Sequence, residues 1–383
     1  MGIVAFLKPI IDMFYQIQVL DVFLMIICIL LFVTKRFKTQ LCFMDFHVII
    51  LGILFLFAYL RNTDGLSPFL KIESCFLLYF LGRKYDLQLE TCSKYIKWGF
   101  LIVLFFTSFT YITGIGFVEW GRYLTFRGLY FFKTDLATAM MQCIALFAFT
   151  PKRSKLNYAV IILCSFFIII ADARMYYIVW FILLSLFMLF LYEEKTQKEV
   201  KIGIFHLIPF ILGLFGALYF LNYLNNIYGE QYLLFEFEEL TDLSDERNTQ
   251  GRSLVWAEIY MKFAKQDFWT RFWGIDLITD VSVLLGYNSH NLYLKLLYSI
   301  GYFGIATYLI FFIQTCITVR RTSNKYLKYV TISFLVIFYL GGISYITIES
   351  TQLSWIPMFL TGACVTNTLK SPPKNKNLKK TMK

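Results

Sequence analysis

Apolar runs long enough to cross a bilayer recur along nearly the whole chain. A run of about 20 apolar residues makes a membrane span, and such runs lie at 18–34, 43–60, 66–82, 98–116, 136–150, 156–172, 174–192, 202–221, 290–313, 329–346 and 353–369. The pattern predicts an all-α fold, a polytopic transmembrane helix bundle of about eleven spans, within a range of about ten to twelve. The runs at 66–82 and 136–150 are short, which predicts tilt, distortion or extension by their flanks. Residues 1–15 contain Pro9 and Asp12 and fit either an interfacial helix or part of a further span, so the side of the N-terminus stays open. They hold one lysine and no small-residue cleavage site, so a removable signal peptide is not expected. With 58% hydrophobic and 16% charged residues, the chain is neither a soluble globular protein nor a disordered one. The apolar runs are continuous rather than alternating, which argues against an outer-membrane barrel.

Charge orients the bundle. The segments 35–38, 83–97, 151–155, 195–201, 320–328 and 370–383 alternate so as to fall on one side, and they hold 23 of the 36 Lys and Arg. Basic loops mark the cytoplasmic face. The net charge of +11 is thereby explained without nucleic acid as a partner. The tail 370–383 reads as a basic cytoplasmic end touching anionic headgroups. Eight cysteines, none in a CxxC spacing and most inside apolar runs, read as small buried hydrophobes.

Four regions follow: transmembrane helices with short loops over 1–221, a large extracytoplasmic loop over 222–289, C-terminal transmembrane helices over 290–369, and the basic tail. The long loop carries eleven acidic residues against five basic ones, the reverse of the basic segments. Inside it Val255, Ile259 and Phe263 recur every fourth residue, joined by Trp256 and Tyr260, which predicts an amphipathic helix over about 252–266 lying along the outer membrane face. No internal repeat is evident, a weak argument against inverted-repeat transporters.

Chemistry concentrates at the predicted outer face. Arg174 stands in the tight turn Asp172-Ala173-Arg174 between two spans, where it either pairs with Asp172 or holds phosphate through its planar fork. Arg252 opens the amphipathic helix, where free N–H groups and the dipole favour an anion; as a solvated loop charge it has no such role. Arg122 and Arg127 add charge to the same face as phosphate or headgroup contacts. His290 lies where the long loop enters a span, in Ser289-His290-Asn291-Leu292, and Gly301 and Gly304 follow with room for close helix approach. A lone histidine is ordinarily structural; at the mouth of a membrane cavity it is also a general base. The three histidines, His47, His206 and His290, are far apart, and no HExxH or phosphate-cradling glycine loop is present, so no metal and no cofactor are expected.

His290-Asn291, nine residues, then Gly301-Tyr302-Phe303-Gly304 resembles the end of the large outer loop in the O-antigen polymerase (Wzy) and O-antigen ligase superfamily of membrane glycosyltransferases. Arg127-Gly128-Leu129-Tyr130 is similar to that family's Arg-x-Gly-Leu-Phe region. Asp172-Ala173-Arg174 resembles its Ser-Arg turn, with Asp and Ala as departures, and Arg252-Ser253-Leu254-Val255-Trp256 resembles its Arg-x-x-x-Trp helix opening. The likeness covers about residues 120–310.

The resemblance implies a metal-independent, inverting glycosyltransferase in the bacterial inner membrane, its site facing the periplasm. Donor and acceptor are undecaprenyl-diphosphate-linked oligosaccharides, and a chain-length regulator and membrane lipids are the further partners implied. Carried over residue by residue, Arg174 and Arg252 hold the diphosphate leaving group, Arg127 and Arg122 are secondary contacts, and His290 accepts the proton of the attacking hydroxyl. Asn291, Gly301 and Gly304 shape the site. The chain's length, its aromatic content and the departure at the turn favour a polymerase of O-antigen or a related surface polysaccharide. The alternatives are a ligase transferring the glycan to lipid A–core and, from another class, a flippase of the same lipid-linked sugar.

Overall fold

The computed structural model describes residues 1–14, 17–37, 40–85, 89–120, 123–151, 153–171, 173–196, 252–278 and 290–370. The predicted span at 202–221, the stretches 222–251 and 279–289 of the long loop, and nearly all of the basic tail lie outside them.

The described chain is an α-helical bundle. Its helices are α1 (Gly2–Met13), α2 (Gln18–Thr34), α3 (Phe43–Arg61), α4 (Leu66–Tyr85), α5 (Leu89–Ile112), α6 (Lys133–Ala148), α7 (Lys155–Ala171), α8 (Arg174–Thr196), α9 (Arg252–Ala264), α10 (Phe268–Trp273), α11 (Leu292–Arg321), α12 (Lys325–Gly341) and α13 (Thr351–Lys370). Among the described residues α3, α4, α5, α8 and α11 are long and apolar enough to cross a membrane, and α2 and α7 are shorter apolar helices. The chain is therefore a membrane protein.

Two features of the bundle escape a hydropathy reading. The connection expected at 117–135 holds an antiparallel hairpin, β1 (Phe117–Trp120) with β2 (Tyr123–Phe126), in which Phe117 faces Phe126. The connection expected at 83–97 is mostly helix. Arg83 ends α4 fully buried, and α5 begins at Leu89. Arg83 is thus a structural ion rather than a loop charge: its Nη2 donates to Asp45 Oδ2 at 2.8 Å and to the Gln40 carbonyl at 2.8 Å, and its Nη1 to Thr366 at 3.0 Å. A buried guanidinium persists only when paired and hydrogen-bonded in this way. The pair fastens α3, α4 and α13 together. Nearby, α4 and α13 touch backbone to backbone at Gly82, where a Cβ would lie 2.0 Å from the Phe359 oxygen. Small residues permit such contact within a bilayer.

Helix α1 covers most of residues 1–15. It runs parallel to α5, with Gly2 against Tyr95 and Phe6 against Gly99. Twelve residues rise about 18 Å, short of a bilayer core of about 30 Å. The helix is too short for a full span, and one face of it, Val4, Lys8, Ile11 and Asp12, is buried in the bundle. Lys8, 3% exposed, pairs with Asp12, donates to Asp21 at 3.2 Å and to Thr351 Oγ1 at 2.9 Å, and lies 4.5 Å from the Trp355 ring. One ammonium group thereby joins α1, α2 and α13.

Candidate active site

Helix α11 starts where the long loop ends. Asn291 caps it: its side-chain oxygen accepts from the amides of Tyr293 at 2.9 Å and Leu294 at 3.1 Å, two of the donors that any helix start leaves unpaired. The same side chain donates through Nδ2 to the Ile343 carbonyl at 3.1 Å, and the Leu292 amide donates to Gly342 at 2.8 Å. The start of α11 is thus bound to the 341–350 connection between α12 and α13.

His290 immediately precedes this cap. Its φ is 43°, and among the described residues no other non-glycine has a positive φ. A side chain in the left-handed region is sterically costly and persists where its surroundings over-determine it, a condition common at functional sites. The histidine is half-buried.

Helix α9 is held to α11 in parallel. The Tyr298 hydroxyl donates to the Ile259 carbonyl at 3.2 Å, and the Phe263 ring stands 5.5 Å from both Tyr298 and Tyr302. Val255, Trp256 and Leu294 join the same cluster. In this register Arg252, the first residue of α9, falls at the same end as Asn291 and His290. The amphipathic helix is present as expected, but the outcome for its apolar stripe differs. Ile259 and Phe263 are fully buried against α11 rather than laid on lipid, while Tyr260 and Met261 are exposed.

Helix α8 reaches the same end. Arg174 is its first residue. Two residues on, the Tyr176 hydroxyl lies 3.5 Å from where a Cβ on Gly341 would be, beside Thr347. The starts of α8 and α11 therefore meet at the 341–350 connection, the start of α9 lies beside that of α11 at the same end, and each presents the positive end of its dipole. The Thr347 hydroxyl of this connection is fully buried and has no hydrogen-bond partner among the described residues.

Arg127 follows the hairpin, which rests on α7 through Phe126 stacked on Phe167 at 5.7 Å. One of its guanidinium nitrogens donates to the Phe131 carbonyl at 2.8 Å, and Gly128 beyond it turns with φ 58°. Arg122 and Asp172 lie outside the described residues.

The two glycines of the motif differ. Gly301 has φ 64° and ψ −167° and kinks α11, and a Cβ there would lie 2.4 Å from the Gly274 amide nitrogen. At Gly304 a Cβ would meet the Ile300 side chain of its own helix at 2.3 Å.

Two charged residues were passed over in the sequence. Lys295, 3% exposed, donates to the Leu277 carbonyl at 2.6 Å and pairs with Glu349 at 3.1 Å. Its position inside the apolar run at 290–313 was the available signal, since a charge there needs a partner. Arg61, at the end of α3, donates to the carbonyls of Gly274 at 2.5 Å and Ile275 at 3.2 Å, holding α10 to the bundle. Among the described residues no group of three His, Cys, Asp or Glu is placed to hold a metal ion.

No protein-family model matches the chain, and no curated protein does.

Proposed function

We propose that the protein is a membrane glycosyltransferase that polymerises undecaprenyl-diphosphate-linked oligosaccharides, with its site at the end of the bundle where α8, α9 and α11 start. The observation that carries this reading is the gathering of those three starts, opened or preceded by Arg174, Arg252 and His290. Free amides and positive dipole ends suit a diphosphate, and two arginines add bidentate donors. The strained backbone of His290 beside them supports a role beyond capping.

In this reaction the acceptor hydroxyl loses its proton to His290 as its oxygen attacks the donor's anomeric carbon. The glycosidic bond to the diphosphate breaks as the new one forms. The leaving group departs with the electron pair, stabilised by Arg174 and Arg252, and Arg127 and Arg122 contribute at a distance. Attack from the opposite face inverts the centre. The basic end of the bundle faces the cytoplasm by the charge rule, which turns the site outward.

Purified full-length protein in detergent, given lipid-linked repeat units, should produce a ladder of longer lipid-linked glycans. A flippase produces none, since it makes no bond. A ligase produces none until lipid A–core is added. In cells, deletion should leave core bearing a single repeat unit if the protein polymerises, and bare core if it ligates.

A further inference from the structure

At the opposite, basic end, the first two turns of α5 form one wall of a cavity of about 560 Å³. Its size lies within the range of small-molecule sites, about 300–1,000 Å³. The body is apolar, formed by Val4, Leu78, Leu146, Phe149, Leu327 and Phe359. The rim is not. Lys94 and Lys97, three residues apart and so on one helix face, both line it. Lys94 is exposed and Lys97 half-buried. Neither forms an ion pair among the described residues; Lys97 has only the Phe147 ring, 5.6 Å from its ammonium nitrogen. Glu90 is the acid on the same wall, one turn before Lys94. The third lysine of the lining, Lys8, already has Asp12, Asp21 and Thr351 as partners.

Two ammonium groups at the mouth of an apolar chamber define the ligand's chemistry. A soluble anion would satisfy the lysines and leave the chamber empty. A neutral apolar molecule would fill the chamber and leave a half-buried charge uncompensated, which is unfavourable. A molecule with a negatively charged head and a hydrocarbon chain satisfies both. We propose that this cavity binds an anionic phospholipid from the leaflet at the basic end of the bundle, its phosphate between Lys94 and Lys97 and an acyl chain in the apolar body. The cavity is built from α1, α4, α5, α6, α12 and α13 and includes none of the residues assigned to glycosyl transfer, so the inference stands independently of that reading.

The test is native mass spectrometry of the full-length protein released from detergent, titrated with phosphatidylglycerol or with phosphatidylcholine of the same chains. Wild-type protein should hold one phosphatidylglycerol in preference to phosphatidylcholine. Each lysine beside a lipid phosphate contributes about a five-fold gain in affinity. Lys97→Gln and Lys94→Gln should therefore each weaken phosphatidylglycerol retention about five-fold and leave phosphatidylcholine unchanged. Lys94 is exposed, so its replacement leaves the fold intact and keeps the test valid if the Lys97 variant misfolds. Ala5→Phe, which fills the chamber and keeps both lysines, should also lower retention. Equal retention of the two lipids by wild type, retention of neither, or undiminished phosphatidylglycerol binding in the lysine variants would overturn the proposal.

Discussion

Gly274 and Gly301 meet backbone to backbone: a Cβ added to Gly301 would stand 2.4 Å from the Gly274 nitrogen, and one added to Gly274 would stand 2.4 Å from the Ser299 oxygen. Both have positive φ, 86° and 64°. The Ile275 amide next to this contact donates to the Tyr298 carbonyl at 2.6 Å, one turn before the kink at Gly301. The end of the long loop is thus fastened to α11 by two residues that must lack side chains.

Gly301→Ala should therefore destabilise the protein by more than the roughly 1 kcal/mol of an ordinary Gly→Ala mismatch, because strain and collision act together. Gly304→Ala should also destabilise, through the Ile300 side chain, but less, since a side chain can shift where backbone cannot. Thermal unfolding in detergent of the two variants checks the order. An equal or reversed order would show that the close approach is not what fixes the kink.

Asn291→Ala removes the cap of α11 and the bond to Ile343 together. Cap loss alone costs about 1 kcal/mol, and the Ile343 carbonyl loses a donor as well. Asn291→Asp keeps the acceptor and loses the donor, so it should recover part of the stability. Recovery is read from the unfolding temperature, and failure of Asp to recover any would place the weight on the Ile343 bond.

Asp267 predicts an acid-sensitive loop. Its carboxylate caps α10, accepting from the amides of Trp269 at 2.9 Å and Thr270 at 3.1 Å and from the Thr270 hydroxyl. The Thr270 bonds, side chain first, hold the acid below its ordinary value. A lowered folded value means that the contribution is present above the unfolded pKa, about 3.9, and is lost as pH falls through the folded one. Exchange of the Trp269 and Thr270 amides, corrected for intrinsic rate, should accelerate as pH drops below about 4. Asp267→Asn, which also caps, should abolish the pH dependence.

The helical membrane bundle was legible from apolar runs alone, because in lipid a helix must satisfy its own backbone and so writes its length into composition. Features set by tertiary contact were not. The hairpin at Phe117–Phe126 is four residues a side, too short for alternation to stand out. Helix α1 has the apolar residues of a span without the length, and only the structure reveals that it packs along α5. The stripe Val255, Ile259, Phe263 identified a helix correctly and its partner wrongly, since a period of four specifies an apolar face and not what covers it. For the candidate site, the order of motifs put Arg174, Arg252 and His290 at element boundaries, where they are found. Their placement at one end depends on Asn291, Tyr176 and the packing of Ile259 and Phe263 on Tyr298, residues that carry no chemistry of their own.

The diphosphate role of the two helix-opening arginines is tested by Lys. Arg174→Lys and Arg252→Lys keep the charge and lose the planar fork. A bidentate contact that strengthens in the transition state is worth about 2–4 kcal/mol, so each variant should elongate glycans ~30- to 1000-fold more slowly at equal membrane abundance. Wild-type rates in both would remove the arginines from the leaving-group role.

His290 separates strain from chemistry. Its left-handed backbone costs up to about 1–2 kcal/mol for a side-chain-bearing residue, and glycine adopts it freely. His290→Gly should therefore be as stable as wild type or more so, and inactive in elongation. A residue that loses stability's opponent and activity in the same substitution is held in place for function. His290→Asn tolerates the same backbone and supplies a hydrogen bond, but cannot accept a full proton at neutral pH, so it too should be inactive while remaining folded. An imidazole base is silenced by protonation, so the wild-type rate should fall on acidification through the range where imidazole titrates. The measurement pairs unfolding temperature with elongation by purified variants from about pH 5 to 9. Near-normal elongation by His290→Asn with an unchanged pH profile would assign His290 to the turn before the α11 cap and send the search for the base to Glu349, the partly exposed partner of Lys295.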